Sequence, residues 1–324
     1  MLDEISYSDV YDLGNKLGYL PYMIQRFVEL IGEKETIKLL KFNEKKLKTV
    51  IRLNNLKAQF SEIDFLLLQK KVVFKKIREI PEAREIVYTP ISIGATIEYL
   101  NGYYMVQGKN SMFPPLILDP KPHEIIGDFA AAPGGKTTHI AQLMKNKGKI
   151  ISIERSKRRC TSLYSNIIRM GVQNTIVLNT DARAIVKSKI KFDKILLDAP
   201  CSGSGVIIND PSRKTSKKEE DLARYSKLQI ELLDAAIQTL KEGGTIVYCT
   251  CSLEPEENEL VIDRVLKDND LKLVDIPFSF ERGVTKFANY SFSPELKKAV
   301  RLYPHKTNGE GFFIAKMVKE SGKN

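Results

Sequence analysis

Cysteine is scarce in this chain, with four in 324 residues. That is too few for a disulfide framework and suits a reducing compartment, where thiols stay free and can react. Histidine is scarcer, occurring only at His123, His139 and His305. The histidines are scattered, and Cys249 and Cys251 form a C-x-C rather than the C-x-x-C of zinc ligands, so no metal is expected. No apolar run approaches the ~18 residues of a membrane span, so no membrane association is expected. The opening stretch MLDEISYSDVYDLGNKLGYL carries acids and no continuous apolar core. It does not read as a secretory signal, and the cytoplasm is the expected compartment. Internal repeats and low-complexity tracts are absent too.

What is present is ordinary for a globular protein, 43% hydrophobic and 28% charged residues, on a chain long enough for about two domains. The net charge of +11 suggests a polyanionic partner. Charge alone does not separate RNA from DNA or an anionic membrane.

From about Glu124 onward, short runs rich in Ile, Val and Leu alternate with helical patterns. The runs are EIIGDFA, KIISIER, TIVLNTD, FDKILLDAP and TIVYCTC. Between them lie GGKTTHIAQLMKNK, SKRRCTSLYSNIIRMG and EEDLARYSKLQIELLDAAIQTLKEGG, the last stopped by its Gly-Gly. This alternation predicts an α/β fold with a parallel sheet covered on both faces. EPEENELVIDRVLKDN then reads as a helix, and LKLVDIP and GFFIAKMVK as further strands, one of them antiparallel. The first ~120 residues differ. A lysine-rich helical stretch, PYMIQRFVELIGEKETIKLLKFNEKKL, precedes strands at TVIRLNN, VVFKKIRE and YYMVQGK and a helix at SEIDFLLLQKK. These suggest a small α+β domain, and the proline-punctuated MFPPLILDPKPHE marks the joint.

GDFAAAPGGKTTHIAQL is a strand, a small-residue turn and a helix start, with Asp128 at the strand end. Small residues let a ligand approach the backbone, and a helix start offers free N–H groups. A P-loop would need glycine at Ala130, and Pro133 would sit inside it, so an NTPase is the weaker reading. Glu154 closes the second strand where nucleoside-binding folds hold ribose hydroxyls, and Asp181 closes the third, where it can bond an adenine amino group. The series describes a nucleoside cofactor lying across the sheet edge.

The fourth strand ends in Asp198, Pro200 and Cys201, and the fifth in Cys249, Thr250 and Cys251. If these strands are neighbours, Cys201 and Cys251 open onto one crevice. Cys249 lies deeper and reads as packing, as does Cys160 in its helix. A redox disulfide between Cys201 and Cys251 is one reading. Nucleophilic catalysis is the other. Carbon 5 of cytosine is a poor nucleophile until a thiolate adds to carbon 6, with an acid at ring nitrogen 3 to stabilise the adduct. Carbon 5 then takes an electrophilic methyl group, and a base removes its proton so that the thiol can leave. Cys251, Asp198 and Cys201 supply such a set.

DFAAAPGGKT, DAPCSGSG, TCSLEPEEN and RLYPHKTNGEGFF resemble, in that order, the motifs of the Sun-type (Fmu/Sun) RNA cytosine-5 methyltransferase family, over about residues 50–316. The resemblance implies a seven-stranded Rossmann-like methyltransferase sheet binding S-adenosyl-L-methionine, preceded by a small RNA-binding domain. The implied domains are a helical segment at 1–46, the α+β RNA-binding domain at 47–119 and the catalytic domain at 120–324. It implies Cys251 as nucleophile, Cys201 as the group assisting release of the methylated base, and Asp198 as a contact to the cytosine that also borders the cofactor. Ala130, Ala131, Ala132, Pro133, Gly134, Gly135 and Lys136 would wrap the methionine part of the cofactor, with Lys136 also reaching the reaction centre. Glu154 would hold the ribose with Arg159 in support, and Asp181 the adenine. The sequence departs from the family pattern at Glu154, where Asp is commoner, at Ala130, a frequent Cys, and at Gly108, usually an acid. It also lacks an arginine two places before Asp210-Pro211.

RNA is therefore the expected partner, transfer RNA first and ribosomal RNA second, bound by a monomer. The basic runs RSKRR and PSRKTSKK, with Lys34, Lys38, Lys41, Lys45 and Lys46, would track its backbone. The alternative from a different class is an idle RNA-binding or assembly factor on the same fold.

Overall fold

The β-branched runs form strands wherever their apolar faces find a partner. The computed structural model describes residues 6–320. Two units can be distinguished. The first comprises residues up to Leu47 with Pro200–Glu231 and Cys249–Ala315, and the second comprises Lys48–Ala199, Leu232–Tyr248 and the residues from Lys316 onward.

The second unit begins with a four-stranded sheet in the order β2-β3-β1-β4. Its strands are β1 (Val50–Leu53), β2 (Val73–Ile77), β3 (Ile80–Tyr88) and β4 (Tyr104–Val106). Helix Phe60–Gln69 lays Ile63 and Leu67 on Ile51, Leu53 and Tyr104. Strand β3 has no counterpart in the sequence reading, because its charges masked it. Glu82 and Arg84 are buried, the first 2.6 Å from His139 Nε2 and the second bonded through Nε and Nη2 to Asp64 at 2.7 and 2.9 Å. The proline-rich joint is likewise structured. Phe113–Leu118 is a helix with Phe113, Ile117 and Leu118 buried, and its prolines stand in the first turn, where no N–H is needed.

The parallel strands follow as predicted: β5 (Ile125–Phe129), β6 (Lys149–Ile153), β7 (Thr175–Leu178), β8 (Phe192–Asp198) and β9 (Leu240–Thr250). They lie in the order β9-β8-β5-β6-β7, with β5 parallel to both β6 and β8 and β6 parallel to β7. A parallel strand needs a crossover, which helices Gly135–Leu143 and Lys157–Met170 provide. Ser156 caps the latter and Gly171, in the left-handed region, ends it. Helix Glu220–Thr239 ends at Thr239, ahead of the Gly243-Gly244 pair expected to stop it.

In the first unit, helix Pro21–Asn43 is broken at Gly32, whose φ of 77° is not helical, so the stretch read as continuous is two segments. Its apolar face, Met23, Ile24, Phe27, Leu39 and Leu40, forms one core with Ile207, Leu253 and Tyr303. The N-terminal helical region thus packs directly against the segments carrying the cysteine motifs. Glu259–Asp268 is a helix, but Pro255–Glu257 before it is a 3-10 turn. Short strands follow: β10 (Leu271–Val274), β11 (Glu281–Arg282), β12 (Lys286–Phe287), β13 (Tyr290–Ser291), β14 (Val300–Leu302) and β15 (Phe312–Lys319). β14, inside what reads as a long connection in the sequence, pairs antiparallel with β15, whereas the strand expected at LKLVDIP, β10, lies off the main strand order and pairs β15. The sheet has nine strands, in the order β11-β14-β15-β9-β8-β5-β6-β7 with β10 beside β15, two more than the seven expected, the short β10 and β11 extending the Rossmann-like set.

Candidate active site

The turn after β5 is built for close approach. Ala130 takes φ +62° and Gly134 φ +101°, two reversals that fold the loop back before the helix begins at Gly135. A side chain at Gly134 would meet Leu163 Cδ1 at 2.9 Å in a backbone conformation L residues avoid. The loop is tied to the next strand: Ala131 N donates to Ile153 O at 3.0 Å and Ala132 N to Glu154 Oε2 at 3.3 Å. Glu154 Oε1 accepts from Ser156 N at 2.8 Å, and Arg159 lies 3.4 Å from Oε2 while donating to Ala132 O at 2.6 Å. Glu154 and Arg159 thus brace the loop as well as flanking it. The set fits a nucleoside cofactor: a small-residue cradle, a helix start whose N–H groups point toward it, and the buried acid Glu154. Asp181 accepts from Arg183 N, Nε and Nη2 at 2.7–3.0 Å, and the Arg183 bonds hold its carboxyl below the usual range.

Lys136, in the first turn of that helix, places Nζ 2.7 Å from Asp198 Oδ2 at the end of β8. Beneath it, Asp128 is wholly buried and accepts from Thr137 Oγ1. Burial pushes Asp128 up to about 7 from the ordinary 3.8. A carboxyl raised in the folded state is fully stabilising below its unfolded pKa, and that contribution is lost as pH rises through the folded one. Urea titrations between pH 4 and 8 are therefore expected to show wild type losing stability relative to Asp128→Asn up to about pH 7, and no further above it. Parallel curves would refute this.

Arg52, on β1, was not singled out from the sequence. It is wholly buried, donating to Gln107 Oε1 at 2.6 Å, Gly135 O at 2.7 Å and Thr138 Oγ1 at 2.7 Å. Burial lowers its pKa to about 9. The signal was available: Arg52 lies between Ile51 and Leu53 in the run TVIRLNN, which reads as a strand.

In the first unit, Cys201 Sγ and Cys251 Sγ stand 3.2 Å apart, both half-buried and neither in a disulfide. The redox reading thus has its two thiols together but no bond between them. Cys249 and Cys160 are buried, as expected of packing residues. Close backbone approach sets the pair: Gly205 N donates to Cys251 O at 2.9 Å, and a Cβ on Gly205 would sit 2.7 Å from Gly311 O. Thr250 and Asn258 tie the strand end to the following turn through a 2.6 Å bond, and Asn258 Nδ2 donates to Ser252 O at 2.9 Å. Glu257 is fully buried and accepts from Ser202, Ser252 and Gln229. Arg26, from the N-terminal helix, pairs with Glu254 at 2.7 Å, with Glu256 at closer range and with Glu219 at 3.4 Å. Sequence spacing gave no hint of Arg26, because its partners lie about 200 residues away.

The basic runs divide. Lys34, Lys38, Lys41, Lys45, Lys46, Arg155, Lys157, Arg158 and Arg159 are exposed. Arg213 and Lys214 turn inward, to Ser202 O and Asp210 and to Leu17 O and Glu44 respectively, so PSRKTSKK is partly structural. Among the described residues no cluster of His, Cys, Asp or Glu could hold a metal ion, and no helix is long and apolar enough to cross a membrane.

The fold and its loop place the chain among the Rossmann-like methyltransferases. Residues 115–318 match the family model described as 16S rRNA methyltransferase RsmB/F, and the chain belongs to that family, the Sun-type methyltransferases whose motifs it carries. It is 42% identical over 316 residues to the 28S rRNA (cytosine-C(5))-methyltransferase of Mus musculus, covering 96% of this chain and 40% of that protein. It is 38% identical over 281 residues to the tRNA (cytosine(49)-C(5))-methyltransferase of Pyrococcus abyssi, covering 85% and 89%. The chain thus spans about two-fifths of the mouse relative's length. Among solved structures it resembles a methyltransferase homolog from Pyrococcus horikoshii with a TM-score of 0.88 and 39% identity, over 96% of this chain and 98% of the other. It also resembles NSun6 from the same organism, solved with SFG, with a TM-score of 0.81 and 27% identity, over 92% and 97%.

Proposed function

We propose that this chain methylates carbon 5 of cytosine in RNA, using S-adenosyl-L-methionine and a covalent cysteine–cytosine adduct. The observation that carries the reading is the juxtaposition of two reduced thiols, Cys201 and Cys251, 3.2 Å apart. Binding RNA needs no such pair, which argues against an idle assembly factor. Cys251 adds to carbon 6 of the flipped-out base. The Lys136–Asp198 pair offers a donor and an acceptor to ring nitrogen 3 and the exocyclic amino group. The cofactor, when bound, supplies an electrophilic methyl group. Cys201 takes the proton from carbon 5, and Cys251 then departs as the ring regains aromaticity. Ala130 to Lys136 and Glu154, Arg159 and Asp181 hold the cofactor.

Residues 47–119 act as the RNA-binding domain, and residues 120–324 as the catalytic one, of a cytoplasmic monomer. The exposed lysines and arginines support contact with the RNA backbone, which predicts binding that weakens steeply with salt. Transfer RNA is the first substrate, supported by the tRNA-modifying relative matched over 89% of its length. Ribosomal RNA is the second, supported by the 42% identity to the 28S enzyme.

The test is incubation with methyl-labelled S-adenosyl-L-methionine and unmodified transfer and ribosomal RNA fractions. Label is expected in 5-methylcytosine of transfer RNA. Label confined to ribosomal RNA reverses the order of substrates. No label in either, with cofactor binding verified by calorimetry, overturns the enzymatic reading.

A further inference from the structure

Each of the two cysteines is followed by a serine, in Cys201-Ser202 and Cys251-Ser252. Both serines are buried and both reach the same carboxylate. Glu257 Oε1 accepts from Ser202 N at 2.8 Å and from Gln229 Nε2 at 3.1 Å. Its Oε2 accepts from the hydroxyls of Ser202 and Ser252, which also lie 3.2 Å from each other. A carboxyl group has about four lone-pair sites, and these bonds from both serines and Gln229 engage both of its oxygens. The arrangement is closed off on both sides. Gln229 also donates to Pro200 O at 2.9 Å, just before Cys201, and Ser252 Oγ accepts from Glu254 N at 3.1 Å.

We infer that Glu257 is the positioning residue that sets the spacing of Cys201 and Cys251, one carboxylate holding the serine next to each. The inference rests on the proposed function only for the use made of the spacing. Fixing a residue fixes its neighbour's backbone, since consecutive Cα atoms are about 3.8 Å apart. The Gly205 N–Cys251 O bond holds the two backbones together, but it leaves the residues that carry the thiols free to shift by rotamer and local backbone motion. A shared, fully buried acceptor removes that freedom, because a buried hydroxyl that leaves it loses its partner with no water to replace it. The reaction needs one thiol at carbon 6 and the other at the proton of the adjacent carbon 5, so their separation has to be held through the whole cycle.

The test reads thiol geometry apart from catalysis. Phenylarsine oxide binds two thiols at once only when they lie side by side, releasing water. Wild type, Glu257→Ala, Glu257→Gln and Ser252→Ala are titrated with it, with Cys201→Ala and Cys251→Ala as single-thiol controls. Wild type is expected to lose two thiols per chain, and Glu257→Ala to capture the arsenical about tenfold more weakly, the effect of one lost buried hydrogen bond. Glu257→Gln keeps one acceptor for Ser202 N and Gln229, and its amide can donate to the serine oxygens, so it is expected to restore capture. In methyl transfer, Glu257→Ala is expected to lower kcat about a hundredfold, the cost of a misplacement near 1 Å, with KM for RNA unchanged. Capture and kcat at wild-type values in folded Glu257→Ala overturn the inference. If that variant does not fold, unchanged capture in Ser252→Ala overturns it instead. Wild-type capture without methylation of any RNA would leave the clamp standing and remove the methyltransferase reading alone.

Discussion

Cys251→Ala is expected to abolish methyl transfer, and Cys201→Ala to trap the RNA on the protein. The two thiols are 3.2 Å apart and both half-buried, so geometry alone does not rank them. Their places in the chain do. Cys251 closes β9 in the Thr-Cys-Ser-Leu motif, and Cys201 follows Pro200 after β8. Removing the attacking thiol removes the adduct, so carbon 5 never becomes nucleophilic. The expected loss is at least about ten-thousandfold, the scale seen when a covalent nucleophile is deleted. Removing the thiol that takes the carbon 5 proton leaves addition intact and blocks elimination, a general-base defect of about a hundred- to ten-thousandfold. A denaturing gel of Cys201→Ala with labelled RNA and cofactor should therefore show a covalent band. The band should vanish in the Cys201→Ala/Cys251→Ala double variant. A covalent band from Cys251→Ala instead would reverse the roles.

Arg301→Leu is expected to cost about 3–5 kcal/mol of stability, the penalty for stranding one partner of a buried ion pair. Arg301 and Glu259 are 1% and 0% exposed, and Arg301 Nε bonds Glu259 Oε1 at 2.7 Å while Nη2 bonds Oε2. Arg301 also donates to Leu253 O at 2.8 Å, two residues after Cys251, so the pair underlies the turn of the second cysteine motif. Leucine in its place leaves Glu259 charged with no guanidinium. The Arg301→Leu/Glu259→Leu double variant is expected to recover most of the loss, because burying two apolar side chains carries no such penalty. Urea midpoints at constant slope measure both. A loss below about 1 kcal/mol in the single variant, the range of an exposed pair, would show that the site is wetter than its burial indicates.

The parallel strands, the crossover helices and the Ala130–Lys136 turn were readable in the sequence because each is local. A run such as KIISI is buried on nearly its whole length, so its composition alone marks it. The two glycines of the turn, the N-cap Ser156 and the stop at Gly171 act within a few residues of their own position. The cysteines were readable as a pair because both close strands of one parallel set. Strand β3 was not readable, since Glu82 and Arg84 look like solvent residues until His139 and Asp64 meet them. Arg26 and Arg301 went unnoticed for the same reason. A buried charge is stable only with partners, and theirs are distant in the chain.

By itself, then, the sequence determined the strand-and-helix order, the small-residue turn at Ala130–Lys136 and the meeting of Cys201 with Cys251, all consequences of short-range geometry and side-chain chemistry. Only the tertiary structure decided that the N-terminal helix shares a core with the cysteine segments, that Arg213 and Lys214 face inward, and that one glutamate holds both serines. Each of these depends on long-range contacts, made when hydrophobic burial brings distant segments together and their polar groups must be paired.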